Sequence, residues 1–272
     1  MMSLMLEQVQ LGYGGSTIIE DISVVIPDKK ITTLIGPNGC GKSTLLKSLA
    51  GLLKPMKGSV SLKGKALEQW SRKALAFEVA MLPQKPTAPE GICVKALVEY
   101  GRFPYQGILG GQSQNDKDVV AWAMAQTGIS ELAERSVNAL SGGQQQRVWI
   151  AMAIAQQSRI LLLDEPTTFL DWGHQLEVLE LLTKLNLEQE LTVVMSLHDL
   201  NQAAQFSDHI LVMEQGGLIT EGSPADAISP KILANVFNVD ADVEIRGNNR
   251  PYFLARGSIQ AADQNLLAGV TP

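Results

Sequence analysis

The chain has 272 residues and a mass of 29.4 kDa, enough for one large domain with a well-formed core. Hydrophobic residues make up 45% of the chain and charged residues 18%, a balance that excludes a wholly disordered protein. The formal net charge of −6 argues against a nucleic-acid partner, because proteins that neutralise phosphates are usually basic.

Other global features indicate a cytosolic protein. The only cysteines are Cys40 and Cys93, too few for a disulfide framework and typical of a reducing compartment. No apolar run approaches the roughly 18 residues that span a bilayer, and the first residues lack the basic region of a signal peptide. We therefore expect any membrane role to go through a partner.

Hydrophobic patterning predicts alternating strands and helices with a helical segment in the middle. Strands are predicted at residues 4–11, 17–26, 30–35, 60–62, 79–82, 160–163, 192–196 and 210–214. Helical patterning covers 43–52, 92–157, 174–190 and 200–206, with a loop at 103–113. This order predicts an α/β fold with a mostly parallel sheet and a helical insertion. The small, polar residues 257–272 are expected to form a loose tail.

The strongest local signal lies between the third strand and the first helix. The run Gly36-Pro37-Asn38-Gly39-Cys40-Gly41-Lys42-Ser43 matches G-x-x-x-x-G-K-[ST] without a gap, and Thr44 follows it. Glycines let the backbone wrap tightly and aim N–H groups at phosphate oxygens, while Lys42 adds a charge and Ser43 a hydroxyl for Mg²⁺. The run predicts a nucleotide site.

A second signal is a buried strand that ends in two acids, Ile160-Leu161-Leu162-Leu163-Asp164-Glu165. In open α/β folds ligands bind at the carboxyl edge of the sheet, where both acids would lie. We expect Asp164 to hold Mg²⁺ through water and Glu165 to polarise an attacking water. A core strand capped by two solvated acids is the alternative.

Between these motifs lies Leu140-Ser141-Gly142-Gly143-Gln144, in which Ser141 is a good N-cap for the helix that follows. The three motifs in this order resemble those of the ATP-binding-cassette (ABC) family over about residues 4–237. The resemblance implies one nucleotide-binding domain with a P-loop NTPase core at 1–84 and 158–256 and an antiparallel N-terminal β subdomain. It implies a helical subdomain at 85–157, with 257–272 as the tail.

The resemblance also implies roles for single residues. Tyr13 matches the aromatic residue that stacks on adenine, and Gln84 the residue that senses the γ-phosphate and contributes to the Mg²⁺ site. Asp171 matches the D-loop aspartate and His198 the switch histidine, with Glu165 as general base. Family members are homodimers in which Ser141, Gly142, Gly143 and Gln144 of one chain close the ATP site of the other.

Within the family, the chain is similar to importer ATPases for iron–siderophore, haem and vitamin B12. The local matches are Gly39-Cys40-Gly41, Gly101-Arg102-Phe103-Pro104, Asp171-Trp172-Gly173-His174-Gln175, and Leu197-His198-Asp199-Leu200-Asn201-Gln202-Ala203. This similarity implies an integral membrane permease, an external solute-binding protein and a place on the cytoplasmic face of the inner membrane. Ferric siderophore is the favoured cargo. Other metal ions, a polar solute, an exporter half or a soluble ABC protein of translation or repair remain alternatives.

Two further expectations concern reactivity and the partner surface. Cys40 stands at a helix N-terminus, an environment that lowers thiol pKa, so we expect alkylation to inactivate the ATPase and Mg-ATP to protect it. Phe103 and Tyr105 lie in an apolar, glycine-rich segment. They would line the groove that, by resemblance, receives a permease helix near Gln84; packing inside the insertion is the alternative.

Overall fold

An antiparallel sheet forms the N-terminal part of the computed structural model, which describes residues 4–107, 111–246 and 250–259. Its strands, in spatial order, are β2 (Ser16–Ile26), β1 (Leu4–Tyr13), β4 (Lys57–Leu62) and β5 (Lys65–Ala66). The strands begin or end up to three residues beyond the predicted bounds. One apolar face of β1 and β2 is buried, as alternation predicts.

A six-stranded sheet forms the centre of the fold and is parallel except at one edge. Its order is β10 (Gly217–Gly222), β9 (His209–Glu214), β3 (Ile31–Ile35), β8 (Thr192–Ser196), β7 (Ile160–Leu163) and β6 (Val79–Leu82). Only β10 runs antiparallel to its neighbour, β9. The α/β fold with a mostly parallel sheet and an antiparallel N-terminal β subdomain is therefore confirmed.

Both faces of this sheet are covered, which explains why β7 is apolar at every position. Leu161 and Leu163 face a core shared with the helices of the insertion. Ile160 and Leu162 face a second core shared with the antiparallel sheet. A strand buried on both sides cannot show the two-residue alternation of the N-terminal strands.

Helices cover the sheet and build the insertion. They are α1 (Lys42–Leu49), α2 (Arg72–Ala76), α3 (Val94–Glu99), α4 (Gln114–Gln126), α5 (Gly142–Ala155), α6 (Trp172–Gln189), α7 (Leu200–Phe206), α8 (Pro224–Ala227) and α9 (Pro230–Phe237). Short 3-10 helices occur at Leu67–Gln69, Tyr100–Tyr105, Ser130–Leu132 and Val137–Ala139. In the part of the chain so described, no helix is long and apolar enough to cross a membrane.

The end of the predicted loop at 103–113 is confirmed, since α4 begins at Gln114 with Ser113 as its N-cap. Its start is wrong, because residues Tyr100–Tyr105 form a 3-10 helix. The cause is Arg102, which is fully buried and donates from Nε to Asp116 Oδ1 (2.8 Å) and from Nη1 to the Ala155 carbonyl (2.8 Å). Residues 108–110 of this loop lie outside the described residues.

A C-terminal β-hairpin is the largest feature that the pattern analysis missed. Strands β11 (Val239–Arg246) and β12 (Arg250–Ser258) pair antiparallel and pack on α9 and α7. Gly257 and Ser258 belong to β12, so the tail predicted from 257 is wrong at these two positions. The cross-strand partner of Ser258 is Val239, which places both residues in the ladder. The rest of that tail, residues 260–272, lies outside the described residues.

Candidate functional site

The carboxyl ends of four parallel strands bring together residues that are far apart in sequence. Gly36 follows β3, Asp164 follows β7, and Gln84 and His198 come two residues after β6 and β8. Parallel strands end at one edge of a sheet, so the loops that follow them meet there. This edge carries the candidate site.

The glycine-rich run 36–44 folds into a loop that α1 continues. Lys42 is buried, and its ammonium donates to two backbone carbonyls in the loop, those of Gly36 (2.7 Å) and Pro37 (3.0 Å). A Cβ on Gly36 would lie 2.1 Å from the Met213 carbonyl oxygen, so that position requires glycine. Gly39, by contrast, has φ +80° and open space where a Cβ would be, so its backbone is accessible from outside.

The other members of this predicted cofactor-binding run divide between the open face and the core. Asn38 is exposed and Pro37 is half-buried, whereas Cys40, Gly41 and Thr44 are buried. Backbone N–H groups at the start of α1 and the Lys42 charge form a donor set that fits a polyphosphate. The chemistry of the loop therefore fits the predicted ATP.

The structure places Cys40 differently from the reactive thiol expected from sequence. Its side chain is only 3% exposed, and its sulfur lies 3.8 Å from Lys42 Nζ on the inner side of the loop. A helix N-terminus activates a thiol only where reagents reach it. The expectation of a readily alkylated Cys40 is therefore wrong for the folded loop.

Ser43 and Asp164 make direct contact although 121 residues separate them. Ser43 Oγ donates to Asp164 Oδ1 (3.0 Å), and the same oxygen accepts from Ser196 Oγ (2.9 Å). Asp164 is 4% exposed. Within the described ranges no three His, Cys, Asp or Glu side chains form a metal cluster. A single carboxylate with a hydroxyl fits Mg²⁺, which takes few protein ligands and completes its octahedron with water and phosphate oxygens.

The carboxylate of Glu165 is the most densely hydrogen-bonded group of the site. Oε2 accepts from Gln84 Nε2 (2.6 Å) and Thr168 Oγ1 (2.9 Å), and His198 Nε2 lies 2.8 Å from Oε1. Glu165 also has φ +52°, a strained conformation for a residue with a Cβ. Its N–H donates to Ser196 Oγ (2.8 Å), which holds this conformation.

These contacts keep Glu165 ionised. Burial alone would raise the pKa of its carboxyl, but hydrogen bonds from Thr168, Gln84 and then His198 outweigh burial and lower that pKa from its ordinary value. An oriented carboxylate at a strand end next to a phosphate loop can accept a hydrogen bond from a water molecule and polarise it.

The segment Ser141–Gln144 begins α5, and its polar groups bond to each other. Ser141 Oγ accepts from the Gln144 N–H (3.3 Å), and the Gln144 side chain accepts from the Ser141 N–H (3.1 Å), which is a capping box. Gly142 is exposed, whereas Gly143 packs on the His174 ring. Across the described parts of the chain, no hydrogen bond or ion pair joins this segment to the loop at 36–44.

Asp171 lies beside this segment rather than at the strand ends. Its Oδ1 caps α6 by accepting from the His174 N–H (2.9 Å) and contacts His174 Nδ1 (2.8 Å). The backbone hydrogen bond from His174, and then its ring, hold the pKa of Asp171 below the usual range. Phe169 and Trp172 flank it with 79% and 74% exposure, so this surface is open in a single chain.

The sequence profile of the ABC transporter family matches residues 19–168, more than half of the 272 residues. The chain belongs to the ABC transporter family. This match covers the phosphate loop, Gln84, the 141–144 segment and the Asp164-Glu165 pair. The chain is thus an ABC-type ATPase subunit, and we call residues 141–144 the signature segment.

Two curated relatives that match over most of both chains are named as import or transport ATP-binding proteins. The chain is 51% identical over 243 residues to the iron(3+)-hydroxamate import ATP-binding protein FhuC of Bacillus subtilis, covering 89% of this chain and 90% of that one. It is 50% identical over 236 residues to the achromobactin transport ATP-binding protein CbrD of Dickeya dadantii, covering 87% and 88%.

Solved structures of ABC cassettes share the fold. An inward-facing protein described as a metal-chelate type ABC transporter aligns with a TM-score of 0.81 at 26% identity, covering 94% of this chain and 98% of that one. The dimeric ABC transporter cassette MJ0796 aligns with a TM-score of 0.73 at 28% identity, covering 81% and 98%.

Tyr13, the residue predicted to stack on adenine, lies at the end of β1 before a turn of two glycines. Its ring is 46% exposed, and Lys47 Nζ lies 5.9 Å from the ring centroid. One aromatic face at the rim of the loop is thus accessible to a planar ligand. The role in adenine stacking stays a prediction.

Sequence reasoning missed two hydroxyl residues of the candidate site. Ser196 bonds to both Asp164 and the Glu165 N–H, and Thr168 donates to the Glu165 carboxylate. The available signal was weak: a serine that ends strand β8, after three apolar residues and two residues before His198. A buried hydroxyl needs a hydrogen-bond partner, and only the order of the strands in the sheet shows that Asp164 is close enough to be that partner.

Proposed function

We propose that the chain hydrolyses Mg-ATP as a homodimer on the cytoplasmic face of the inner membrane and drives import of a ferric siderophore. The permease is a separate integral membrane protein, and an external solute-binding protein delivers the cargo. The arrangement of Glu165 carries the proposal, because an ionised carboxylate aligned by three side chains beside a phosphate loop is suited to ATP hydrolysis.

Each predicted site residue has a role in this proposal. The loop amides and Lys42 bind the phosphates, and Tyr13 stacks on adenine. Ser43, Asp164 and Gln84 hold Mg²⁺, which neutralises phosphate charge when bound. Glu165 orients the attacking water, and His198 aligns that water with the γ-phosphate.

The second chain supplies the other half of each site. The capping box of the signature segment satisfies the N–H groups of Ser141 and Gln144 and leaves Gly142 exposed between them, which suits an anion that arrives from another molecule. Asp171 lies on the same open surface. The dimeric state of the similar cassette MJ0796 supports this arrangement.

The siderophore assignment rests on the names of the relatives, since hydroxamate and achromobactin systems both match at about half identity. The cargo is tested by transport assays in cells whose chromosomal copy of the gene is deleted and which carry the gene on a plasmid. Uptake of radiolabelled iron is measured from ferric hydroxamate and ferric catecholate siderophores, with haem and vitamin B12 uptake measured in parallel.

We expect rescue for at least one ferric siderophore and none for haem or vitamin B12. Rescue of haem or vitamin B12 instead would replace the cargo but keep the motor. Failure of the chain to co-purify with any multispanning protein from detergent-treated membranes would favour a non-transport ABC ATPase. A Glu165→Gln plasmid serves as the matched control for protein level.

A further inference from the structure

Helix α7 determines where the His198 loop ends. Asp199 is the N-cap of α7, and its Oδ1 accepts from the Gln202 N–H (2.9 Å). On the other side, the Leu197 N–H donates to the Leu34 carbonyl (3.2 Å) and so anchors the loop to β3. His198 therefore sits between a rigid sheet and a helix of seven residues, and a shift of α7 moves it.

The C-terminal hairpin holds the first turn of α7. Asn201 Nδ2 donates to the Phe253 carbonyl (3.1 Å), and the Phe253 N–H donates to Asn201 Oδ1 (2.8 Å). One amide side chain thus pairs with both backbone groups of a residue in β12, as a neighbouring strand would. Phe253 is 7% exposed and packs in the core below the parallel sheet.

The hairpin also holds the last turn of α7. Arg250, the first residue of β12, donates from Nη1 to the Ala204 carbonyl (3.0 Å) and to the Ser207 carbonyl. The last carbonyls of a helix lack partners within it, and a basic side chain satisfies them favourably. Both ends of α7 are therefore tied to one strand.

We propose that the hairpin β11–β12 positions His198 for catalysis, with Asn201 and Arg250 as positioning residues; this rests on the proposed role of His198. Displacement of a catalytic group by about 1 Å can reduce turnover by up to about a hundredfold. His198 contacts Glu165 through a single ring nitrogen and is 44% exposed on its side chain, so its placement depends on the backbone at either end.

The test compares Asn201→Ala and Arg250→Ala with Arg256→Ala in the full-length purified chain. Arg256 is a matched control, since it lies in the same strand but pairs with Asp242 of the hairpin itself and is exposed. We expect each of the first two variants to lower kcat about tenfold. Their ATP affinity should stay close to wild type and their thermal transition should remain cooperative, and kcat of the control should stay within about twofold of wild type.

A double variant separates positioning from general stability. If Asn201 acts through His198, then Asn201→Ala added to His198→Ala should lower the residual turnover no further. A full additional tenfold loss in the double variant, or wild-type kcat in both folded single variants, would overturn the proposal. Should Asn201→Ala unfold, Arg250→Ala and its rescue by Arg250→Lys decide the question.

The His198→Ala variant by itself tests the proposed role of His198, separately from the role of the hairpin. Wild-type turnover in His198→Ala would remove His198 from its proposed role whatever the hairpin variants do. A defect in the hairpin variants that persists with that result would show a structural effect only.

Discussion

The strand-end cluster (Ser43, Gln84, Asp164 and Glu165) and the signature segment (141–144) differ in where their polar groups find hydrogen-bond partners. In the cluster, Ser43 bonds to Asp164 across 121 residues, and Gln84 bonds to Glu165 across 81. In the signature segment, Ser141 and Gln144 bond to each other across three residues. One region is assembled by tertiary structure, and the other is a local helix start.

This contrast supports the proposal that two chains share each ATP site. The long-range bonds arrange the hydrolytic groups before ATP binds, so they need no other molecule. The short-range bonds satisfy the signature helix but leave Gly142 facing outward. A second chain then has a preformed, uncovered helix start to offer to the phosphates of its partner.

The largest effect is expected from a substitution in the strand-end cluster. Glu165→Gln removes the charge that polarises water, so ATP turnover should fall by about 10²–10⁴-fold. ATP should still bind, because Lys42 and the loop remain, and the variant should accumulate as an ATP-bound dimer in size-exclusion chromatography. Glu188→Gln, at an exposed position on α6, is the matched control. Near-normal hydrolysis in a clean preparation would remove Glu165 from its role.

The next test asks whether the phosphate loop of one chain and the signature segment of the other form one ATP site. It mixes two variants, one with a substitution in each region. Gly142→Asp should abolish turnover by placing a carboxylate opposite the partner's phosphates. It should leave the fold intact, since a Cβ there meets nothing closer than 3.9 Å and an acid suits the first turn of a helix. Lys42→Ala should abolish turnover in its own half and lower ATP affinity there by roughly tenfold or more, because the charge that contacts the phosphates is removed.

Mixed in equal amounts, these two inactive variants should recover about a quarter of wild-type turnover. Random pairing makes about half of the dimers mixed, and each mixed dimer has one intact site of two. A mixture of Lys42→Ala and Glu165→Gln should stay inactive, because both defects lie in the same half. Recovery in that control mixture, or none in the first, would contradict sites shared between chains.

A smaller effect is expected at the predicted partner surface, where the structure distinguishes two aromatic residues. Tyr105 is tied inward: its hydroxyl donates to the Gln156 carbonyl (3.0 Å), and Arg102 lies 3.6 Å from its ring centroid. Phe103 is 55% exposed and stacks on Tyr100 with a centroid distance of 4.7 Å. We therefore expect Phe103, rather than Tyr105, to be the anchor for the permease.

Phe103→Ala should weaken recruitment to permease-containing membranes by about 30-fold, the effect of losing roughly 2 kcal/mol at an aromatic anchor. Its thermal transition should stay unchanged. Tyr105→Ala should instead lower the melting temperature, measured by calorimetry. Full recruitment of folded Phe103→Ala would exclude this residue as an anchor.

The smallest expected effect concerns the thiols. Cys93 is half-buried whereas Cys40 is buried, so a maleimide should label Cys93 first, as followed by peptide mass spectrometry. Inactivation should then lag behind the first labelling event. Cys93→Ser provides the control, in which labelling should become slow. Rapid labelling of Cys40 in that variant would show that the loop opens readily.

Two parts of the candidate site could be predicted from the sequence, because each depends on residues that are close together in the chain. A phosphate loop needs adjacent glycines, a lysine and a helix start, and a helix cap needs residues three apart. Residues 36–44 and 141–144 were therefore found with their local conformation. Gln84 and His198 have no such local signal, and only the family's motif order singled them out.

The sequence by itself determined the alternation of strands and helices, the phosphate loop and the helix that begins at the signature segment, because each depends on contacts within a few residues. Only the tertiary structure decided what those pieces meet. Ser196 and Thr168 became part of the candidate site, and Arg102 was buried inside the insertion. The C-terminal hairpin came to hold the helix after His198. The physical reason is that a side chain's hydrogen-bond capacity is local, whereas its partner is chosen by strand order and packing.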